Sequence, residues 1–404
     1  MKVVIVGQGY VGLPLAIAAA TKGHEVLGFD LNENLVRSLN KGHSHVEDID
    51  SGELSNLISI GKYQASYSAK DLNECDIAII AVPTPLDENR KPDLSFIRKA
   101  AKLLGENLTK NALVINESTS YPGTLRNVIA KDIQALAPAG VVHLYAISPE
   151  RVDPGNENWK IENTPRLFSG LTKEASSKTR EFYGGFCKNL IEVDTPEIAE
   201  AAKLFENTFR QVNIALVNEF ALIMRAMDIP VHKVLDAASS KPYGFMKFNP
   251  GIGVGGHCIP VDPSYLAYSA ESVGVTPRFI NLANTVNLEM PKSIVERISR
   301  ELEGGLKGKS VLICGVAYKP NISDTRESPA EILFSELESA GAVVSWHDPL
   351  VENWNGSGSP SLSRGNFDVS IITVLHDAMD ETEIRRSAKL VFDCTGKVVG
   401  LPTL

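Results

Sequence analysis

One stretch of the chain concentrates residues suited to covalent chemistry. Asn249-Pro250-Gly251-Ile252-Gly253-Val254-Gly255-Gly256-His257-Cys258-Ile259-Pro260-Val261-Asp262-Pro263 sets four glycines in six positions just ahead of a cysteine. So much glycine is costly in conformational entropy for a plain connector. A thiol held in such a loop can have backbone N–H groups around it, which suits a nucleophile whose adduct is stabilised by nearby donors. A lone cysteine is more often a small core residue. Cys75, Cys187, Cys314 and Cys394, in or beside strand and helix patterns, read that way. The loop sets Cys258 apart from them.

A second cluster is built to hold phosphate. Gly7-Gln8-Gly9-Tyr10-Val11-Gly12 follows an apolar run and opens a helical stretch. The first glycine permits the tight turn, the second admits a pyrophosphate to the backbone, and the third lets helix and strand pack closely. Asp30 ends the next apolar run, about 20 residues on, as a dinucleotide site requires. An acid there accepts from ribose hydroxyls and repels a 2′-phosphate, which favours NAD over NADP. The bland alternative is a glycine-rich turn without a ligand. Val82-Pro83-Thr84-Pro85 and Glu117-Ser118-Thr119 stand at further strand ends, where such folds bind ligands. Asn116 and Glu117 are explained equally well as a mere strand terminus.

The elements that must position these residues follow from periodicity. Apolar runs at 2–6, 25–30, 77–82, 113–116 and 142–147 alternate with helical stretches such as 14–22 and 94–107, which predicts a parallel sheet covered on both faces. From Thr195-Pro196-Glu197 to about Met227 neither proline nor glycine intervenes after Pro196, so a helix of about 30 residues is expected, longer than most. A mostly helical region follows to Gly304, broken by the loop 241–262. A second, smaller α/β unit then reads as strands at 310–315, 343–347, 368–374 and 389–393 with a helix at 329–340, and 355–364 reads as a surface loop. The fold class is therefore α/β, with two doubly wound, Rossmann-like domains joined by a long central helix and a helical middle region. The expected domains are 1–195 for NAD, 196–304 for the helical and dimerisation region with the cysteine loop, and 305–404 for a C-terminal ligand domain.

Composition limits the partners. A formal net charge of -9 argues against non-specific nucleic-acid binding. No window reaches the ~18 apolar residues of a membrane span, and residues 1–7 lack the pattern of a leader. Five scattered cysteines without CxxC spacing fit a reducing compartment and disfavour a metal site or disulfide framework. A cytoplasmic protein is expected.

Taken together, these motifs resemble the UDP-glucose/GDP-mannose dehydrogenase superfamily over all three regions. Gly255 to Asp262 is similar to the family's catalytic-cysteine motif, and Ala202-Lys203-Leu204-Phe205-Glu206-Asn207-Thr208 to its Lys/Asn motif. Val82 to Pro85, Glu117 to Thr119 and Ser148-Pro149-Glu150-Arg151 resemble its N-terminal signatures. Tyr318-Lys319-Pro320-Asn321 with Asp324, Arg326, Glu327 and Ser328-Pro329-Ala330 resembles its C-terminal one. Lys203 and Asn207 are four apart, so a helix puts them on one face, although each alone is more often a solvated position. Cys258 and Asp262 share that spacing across a proline-containing loop, where it proves nothing.

The resemblance implies NAD-dependent oxidation of a C6 alcohol to a carboxylate through a thiohemiacetal and thioester on Cys258. It gives Lys203 the developing oxyanion with Asn207 in support, and gives Asp262, Glu150 and Thr119 proton transfer and the hydrolytic water. It implies cofactor contacts from Gly7, Gly9, Tyr10, Val11, Gly12, Asp30, Val82, Pro83, Thr84, Ser118, Thr119 and Arg326. The substrate is expected on Glu150, Arg151, Lys203, Asn207, Arg210, Asn249, Pro250, Gly251, Gly253, Gly255, Tyr318 and Lys319. Pro154 stands where many UDP-glucose members have an acid, Val261 where many have lysine, and His257 where a smaller or aromatic residue is usual. Gly255 to Cys258, Lys241 to Phe245 and Arg210 look more like enzymes of UDP-N-acetylhexosamines, UDP-N-acetylglucosamine above all. The partners implied are a nucleotide sugar and a second copy of the chain, with no nucleic acid and no membrane. A β-hydroxyacid-type dehydrogenase would need neither the cysteine loop nor the third region, and a non-catalytic binder would need none of Cys258, Lys203, Asn207 and Asp262.

Overall fold

In the computed structural model, which describes every residue except 47, 48, 152, 154, 155, 157, 361, 363 and 364, the first strand already defines two faces. Strand β1 (Lys2–Val6) sends Val3 and Ile5 into one apolar cluster and Val4 and Val6 into another. Residues that alternate in this way are buried on both sides, which demands helices above and below. Around β1 lie β2 (Glu25–Phe29), β3 (Tyr63–Ser66), β4 (Ile77–Ile80), β5 (Leu113–Asn116), β6 (Leu144–Ile147), β7 (Arg166–Gly170) and β8 (Leu190–Glu192), in the order β3-β2-β1-β4-β5-β6-β7-β8. Helices α1 (Gly12–Thr21), α2 (Glu33–Asn40), α3 (Ser51–Ser59), α4 (Ser95–Asn107), α5 (Ala130–Leu136) and α6 (Lys173–Gly184) accompany it. The doubly wound expectation holds, with one difference: β7 runs antiparallel to β6.

Three strands of this first sheet escaped the sequence reading. Strand β3 carries Gln64 and Ser66, β7 starts on an arginine, and β8 has only three residues. None is an apolar run. Strands expected to reach Val82 and to start at Val142 end at Ile80 and start at Leu144.

Helix α7 (Pro196–Ala226) runs 31 residues from its N-terminal proline. The chain divides into two compact units, Met1–Glu206 with Ser264–Val273, and Asn207–Pro263 with Gly274–Leu404. The second holds α8 (Val231–Ser239) and α10 (Arg278–Glu301), while α9 (Asp262–Ser272) begins in it. Its sheet consists of β9 (Ser310–Cys314), β10 (Val343–His347), β13 (Phe367–Ile372) and β14 (Ala388–Asp393), all parallel, in the order β10-β9-β13-β14. Helix α11 (Pro329–Ser339) is capped by the Ser328 hydroxyl, with proline at its first turn, and α12 is Glu381–Ser387. Val311 and Ile313 face one cluster, Leu312 and Cys314 the other. The 355–364 loop proves to be partly a hairpin, β11 (Asn353–Trp354) against β12 (Ser357–Gly358), because Trp354 buries itself on Trp346 and Phe334. Among the described residues no helix is long and apolar enough to cross a membrane.

Candidate active site

The glycine fingerprint adopts the geometry its spacing requires. Gly7 has φ +96°, and a Cβ on it would lie 2.3 Å from the Ala81 carbonyl oxygen. A Cβ on Gly12 would lie 1.8 Å from the Gly7 oxygen, whereas one on Gly9 would meet nothing within 4 Å. Two glycines thus serve close packing, and the third leaves open backbone where a pyrophosphate needs it. Val11 gives α1 no side-chain cap, so the helix start can serve an anion. Asp30 is held by the Gln8 and Asn32 N–H groups, at 2.9 Å each. The Ser118 hydroxyl exchanges 2.9 Å bonds with Val82 N–H and C=O, which joins the two strand ends singled out in the sequence. Tyr10 and Thr119 are half-buried, Thr84 is buried and Pro83 exposed. These residues fit NAD.

The same unit gathers four glutamates, Glu117, Glu150, Glu200 and Glu206. The Lys203 ammonium, buried on α7, donates to the Glu150 carbonyl. One turn earlier, Glu200 accepts from Gly123 N–H at 2.6 Å, Leu125 N–H at 3.0 Å and the Ser120 hydroxyl at 3.1 Å. It thereby ties the segment after Thr119 to the helix that carries Lys203. Burial pushes its pKa up to about 7 despite those donors. Beside Glu150, the buried Arg166 donates to Glu117 at 2.7 Å and to Ser148 at 3.1 Å, and its other terminal nitrogen stands 3.6 Å from the Glu150 carboxylate. Tyr183 donates its hydroxyl to Glu117 and lays its ring 4.6 Å from the Arg166 guanidinium. Burial, opposed by Arg166, pushes Glu117 up to about 7. Arg151 forks onto Glu206 and reaches the Pro165 carbonyl.

In the second unit the cysteine loop is fixed from both ends. Asn218 of α7, fully buried, accepts from Gly251 N–H at 2.9 Å and donates to Asn287 of α10 at 3.1 Å. Further on, a Cβ at Gly255 would stand 2.8 Å from both Tyr318 and Pro329, and one at Gly256 (φ +91°) 2.9 Å from the Tyr318 ring. The glycines are therefore needed where the loop presses on the C-terminal signature. Gly251 differs, since a Cβ there would meet open space. Cys258 is half-buried, and its carbonyl accepts from Asp262 N–H at 2.8 Å. The proline-containing segment is thus a closed turn leading into α9, and it carries Asp262 to Asn207, whose amide donates to its carboxylate at 2.6 Å. Tyr318 and Lys319 lie in the loop after β9, half-buried, and Arg326 forks onto Asp324 at 2.6 and 2.9 Å. Asn249 and Arg210 are exposed, Pro250 is buried and Gly253 half-buried. Pro154 lies outside the described residues.

The other four cysteines are buried, as expected of core residues, and burial pushes Cys75 and Cys314 up to about 12. Sequence reasoning missed Arg166, Tyr183 and Glu200. A charge opening the otherwise apolar Arg166-Leu167-Phe168 was the available signal for the first.

The chain has known relatives. Residues 1–187 match the NAD binding domain of the UDP-glucose/GDP-mannose dehydrogenase family, 197–289 its central domain and 312–399 its UDP binding domain. The chain is 33% identical to the UDP-N-acetyl-D-glucosamine 6-dehydrogenase of Pseudomonas aeruginosa, over 96% of this chain and 94% of that one. It is 35% identical to the UDP-N-acetyl-D-mannosamine dehydrogenase of Pyrococcus horikoshii, over 88% and 85%. The solved structure of UDP-D-ManNAc dehydrogenase from Pyrococcus horikoshii superposes with a TM-score of 0.89 at 30% identity, covering 100% of this chain and 98% of that one.

Proposed function

Because the chain belongs to the UDP-glucose/GDP-mannose dehydrogenase family and is thus an NAD-dependent nucleotide-sugar dehydrogenase, we propose that it oxidises the C6 alcohol of a UDP-N-acetylhexosamine, first of all UDP-N-acetylglucosamine, to the uronic acid. The observation that carries this reading is the Cys258 turn, with Asp262 bonded through its N–H to the Cys258 carbonyl and through its carboxylate to Asn207. The relatives named for N-acetylhexosamines support the substrate class. UDP-N-acetylmannosamine is the second reading, favoured by the 0.89 TM-score to an enzyme named for that sugar.

Bound NAD supplies the hydride acceptor for both oxidations. It would be held by the fingerprint from Gly7 to Gly12 with Asp30, by Val82, Pro83, Thr84, Ser118 and Thr119, and by Arg326. Once the alcohol has become an aldehyde, the Cys258 sulfur bonds to its carbon, and loss of the second hydride leaves a thioester. Water then forms the new C–O bond, the C–S bond breaks, and sulfur leaves as thiolate. Lys203 stabilises the oxyanion and Asn207 supports it. Asp262 and Glu150 move protons, and Thr119 helps Glu150 hold the water. Arg151, Arg210, Asn249, Pro250, Gly251, Gly253, Gly255, Tyr318 and Lys319 bind the sugar nucleotide. On this reading, 1–195 handles NAD, 196–304 carries the cysteine and the contact with a second copy, and 305–404 takes the nucleotide. Leu216, Phe279 and Leu282, 63%, 79% and 59% exposed on α7 and α10, support a homodimer, which a monomeric mass in solution would refute.

The deciding experiment supplies NAD with UDP-glucose, UDP-N-acetylglucosamine, UDP-N-acetylmannosamine, UDP-N-acetylgalactosamine and GDP-mannose, and counts NADH per sugar. Two equivalents from an N-acetylhexosamine are expected, and a single equivalent contradicts the four-electron course. Cys258→Ser should lower carboxylate formation at least ~10³-fold. Undiminished carboxylate would end the thioester reading.

A further inference from the structure

The buried cluster around Arg166 holds more carboxylate than a scaffold needs. Arg166 and Glu117 are both essentially inaccessible, 5% and 0% exposed at the side chain, and their partnership puts an ion pair where an apolar pair would serve packing as well. Their geometry has a direction. One Arg166 terminal nitrogen bonds Glu117 at 2.7 Å, while the other faces the Glu150 carboxylate across 3.6 Å. Glu150 N–H also donates to the Glu117 carbonyl at 3.3 Å, so the two acids share backbone as well as a cation. The second Glu117 oxygen is buried and accepts no hydrogen bond among the described residues. Pro149, Glu150, Arg151, Ile161, Thr164, Pro165 and Arg166 line a cavity of about 10 Å³, room for roughly one water.

We propose that Arg166 and Glu117 are positioning residues for Glu150 in the water-consuming half of the reaction, with Glu117 deciding how much of the shared guanidinium falls to Glu150. The inference rests on the role given above to Glu150. While Glu117 is ionised it holds Arg166 and leaves the Glu150 carboxylate able to take a proton from water as the C–O bond forms and the C–S bond breaks. When Glu117 gains a proton, Arg166 turns its charge to Glu150 and blunts it as a base. Glu117 is faced by Arg166 from β7, by Tyr183 and Cys187 from α6 and just beyond it, and by Glu150 from the segment after β6. Its position near pH 7 puts this exchange in the working range.

The test separates the two halves of turnover. Wild type, Glu117→Gln, Arg166→Lys and Glu150→Gln are mixed with NAD and UDP-N-acetylglucosamine, or UDP-N-acetylmannosamine if that sugar gives the NADH. The early NADH burst, the steady rate and the mass of the Cys258 adduct are recorded. Glu117→Gln and Arg166→Lys should keep the burst rate and kcat/KM within twofold, lower kcat at least tenfold with KM falling alongside it, and accumulate acyl-enzyme. Between pH 6 and 8 the wild-type hydrolytic rate should climb with a midpoint near 7, while Glu117→Gln, isosteric with the protonated acid, stays at the acid level. If Arg166→Lys fails to fold, Glu117→Gln decides alone. A Glu150→Gln enzyme that accumulates no adduct refutes the role of Glu150. An adduct there, but wild-type hydrolysis in Glu117→Gln or an equal loss of its burst, overturns the present inference.

Discussion

The two larger sheets of this chain place the same turn at the same point and use it differently. In the first, Gly7 donates to the Phe29 carbonyl at 2.8 Å, and a Cβ on it would lie 2.3 Å from the Ala81 oxygen. In the second, Gly315 donates to the His347 carbonyl at 2.8 Å, and a Cβ there would lie 2.3 Å from the Val374 oxygen. Each turn is followed by an N–H donated to an aspartate that ends the neighbouring strand, Gln8 to Asp30 at 2.9 Å and Val316 to Asp348 at 2.8 Å. There the likeness stops. The first loop continues Gly9-Tyr10-Val11-Gly12 straight into α1, and Asp30 keeps part of its surface. The second continues Ala317-Tyr318-Lys319-Pro320, reaches α11 only at Pro329, and buries Asp348 to 1% against His376. Ala317 N–H is taken by Asp348 as well. One loop leaves its acid part-exposed beside an open glycine, and the other has turned its acid inward to hold its own shape.

Removing the inward acid should have the largest effect. Asp348 accepts from Val316, Ala317 and Leu350 N–H groups and from the His376 ring at 3.0 Å. Asp348→Ala leaves these donors buried and unpaired, a loss of about 3 kcal/mol. Thermal unfolding followed by the fluorescence of the buried Trp346 and Trp354 should fall by roughly 10 °C. A shift of a degree or two would mean the second aspartate is not structural.

Gly9→Val comes next. A Cβ there meets no atom of the protein, so unfolding should move by less than about 1 kcal/mol. NAD affinity should drop about a hundredfold, since the side chain fills the pyrophosphate's approach. Titration of NAD by protein fluorescence checks it, and unchanged binding would remove the contrast with Ala317.

How much of this was visible in sequence depends on range. Gly7, Gly9, Gly12 and Asp30 were legible because a turn, a close approach and a strand end are local demands on residue type. Strands β4 and β5 were legible because successive buried positions leave a short apolar run, Ile77 to Ile80 in one and Leu113 to Ile115 in the other. Cys258 stood out by its glycines. The bond from Asn207 to Asp262 spans 55 positions and that from Arg166 to Glu117 spans 49, and no periodicity encodes such partnerships. A buried arginine at a strand start looks in sequence like an exposed edge, which hid β7. The inward turn of the second loop was hidden too, because Asp348 and His376 look like surface residues until the fold closes over them.

Asp30→Ala tests the outward acid. Loss of an acceptor for the ribose hydroxyls should weaken NAD about tenfold, ~1.4 kcal/mol, and narrow its advantage over NADP. Unfolding should change less than in Asp348→Ala, because the Asp30 side chain is only part-buried and its two partners are backbone N–H groups. Equal losses of stability in the two variants would mean that both aspartates serve the frame.

The finest distinction is one of pH. Burial pushes the Asp348 carboxyl up, but the His376 bond and the Leu350 and Val316 N–H groups outweigh it and hold the group below the usual carboxylate range. A carboxylate depressed on folding contributes stability that is complete above its unfolded pKa of about 4 and is lost as pH falls through the lower folded value. The urea midpoint of the Trp346 signal should therefore decline from pH 5 toward pH 3. Asp348→Asn, which has no proton to gain, should start lower at pH 5 and decline less steeply. If both proteins follow one slope, other carboxylates govern the acid limb, and the second aspartate matters only as an acceptor.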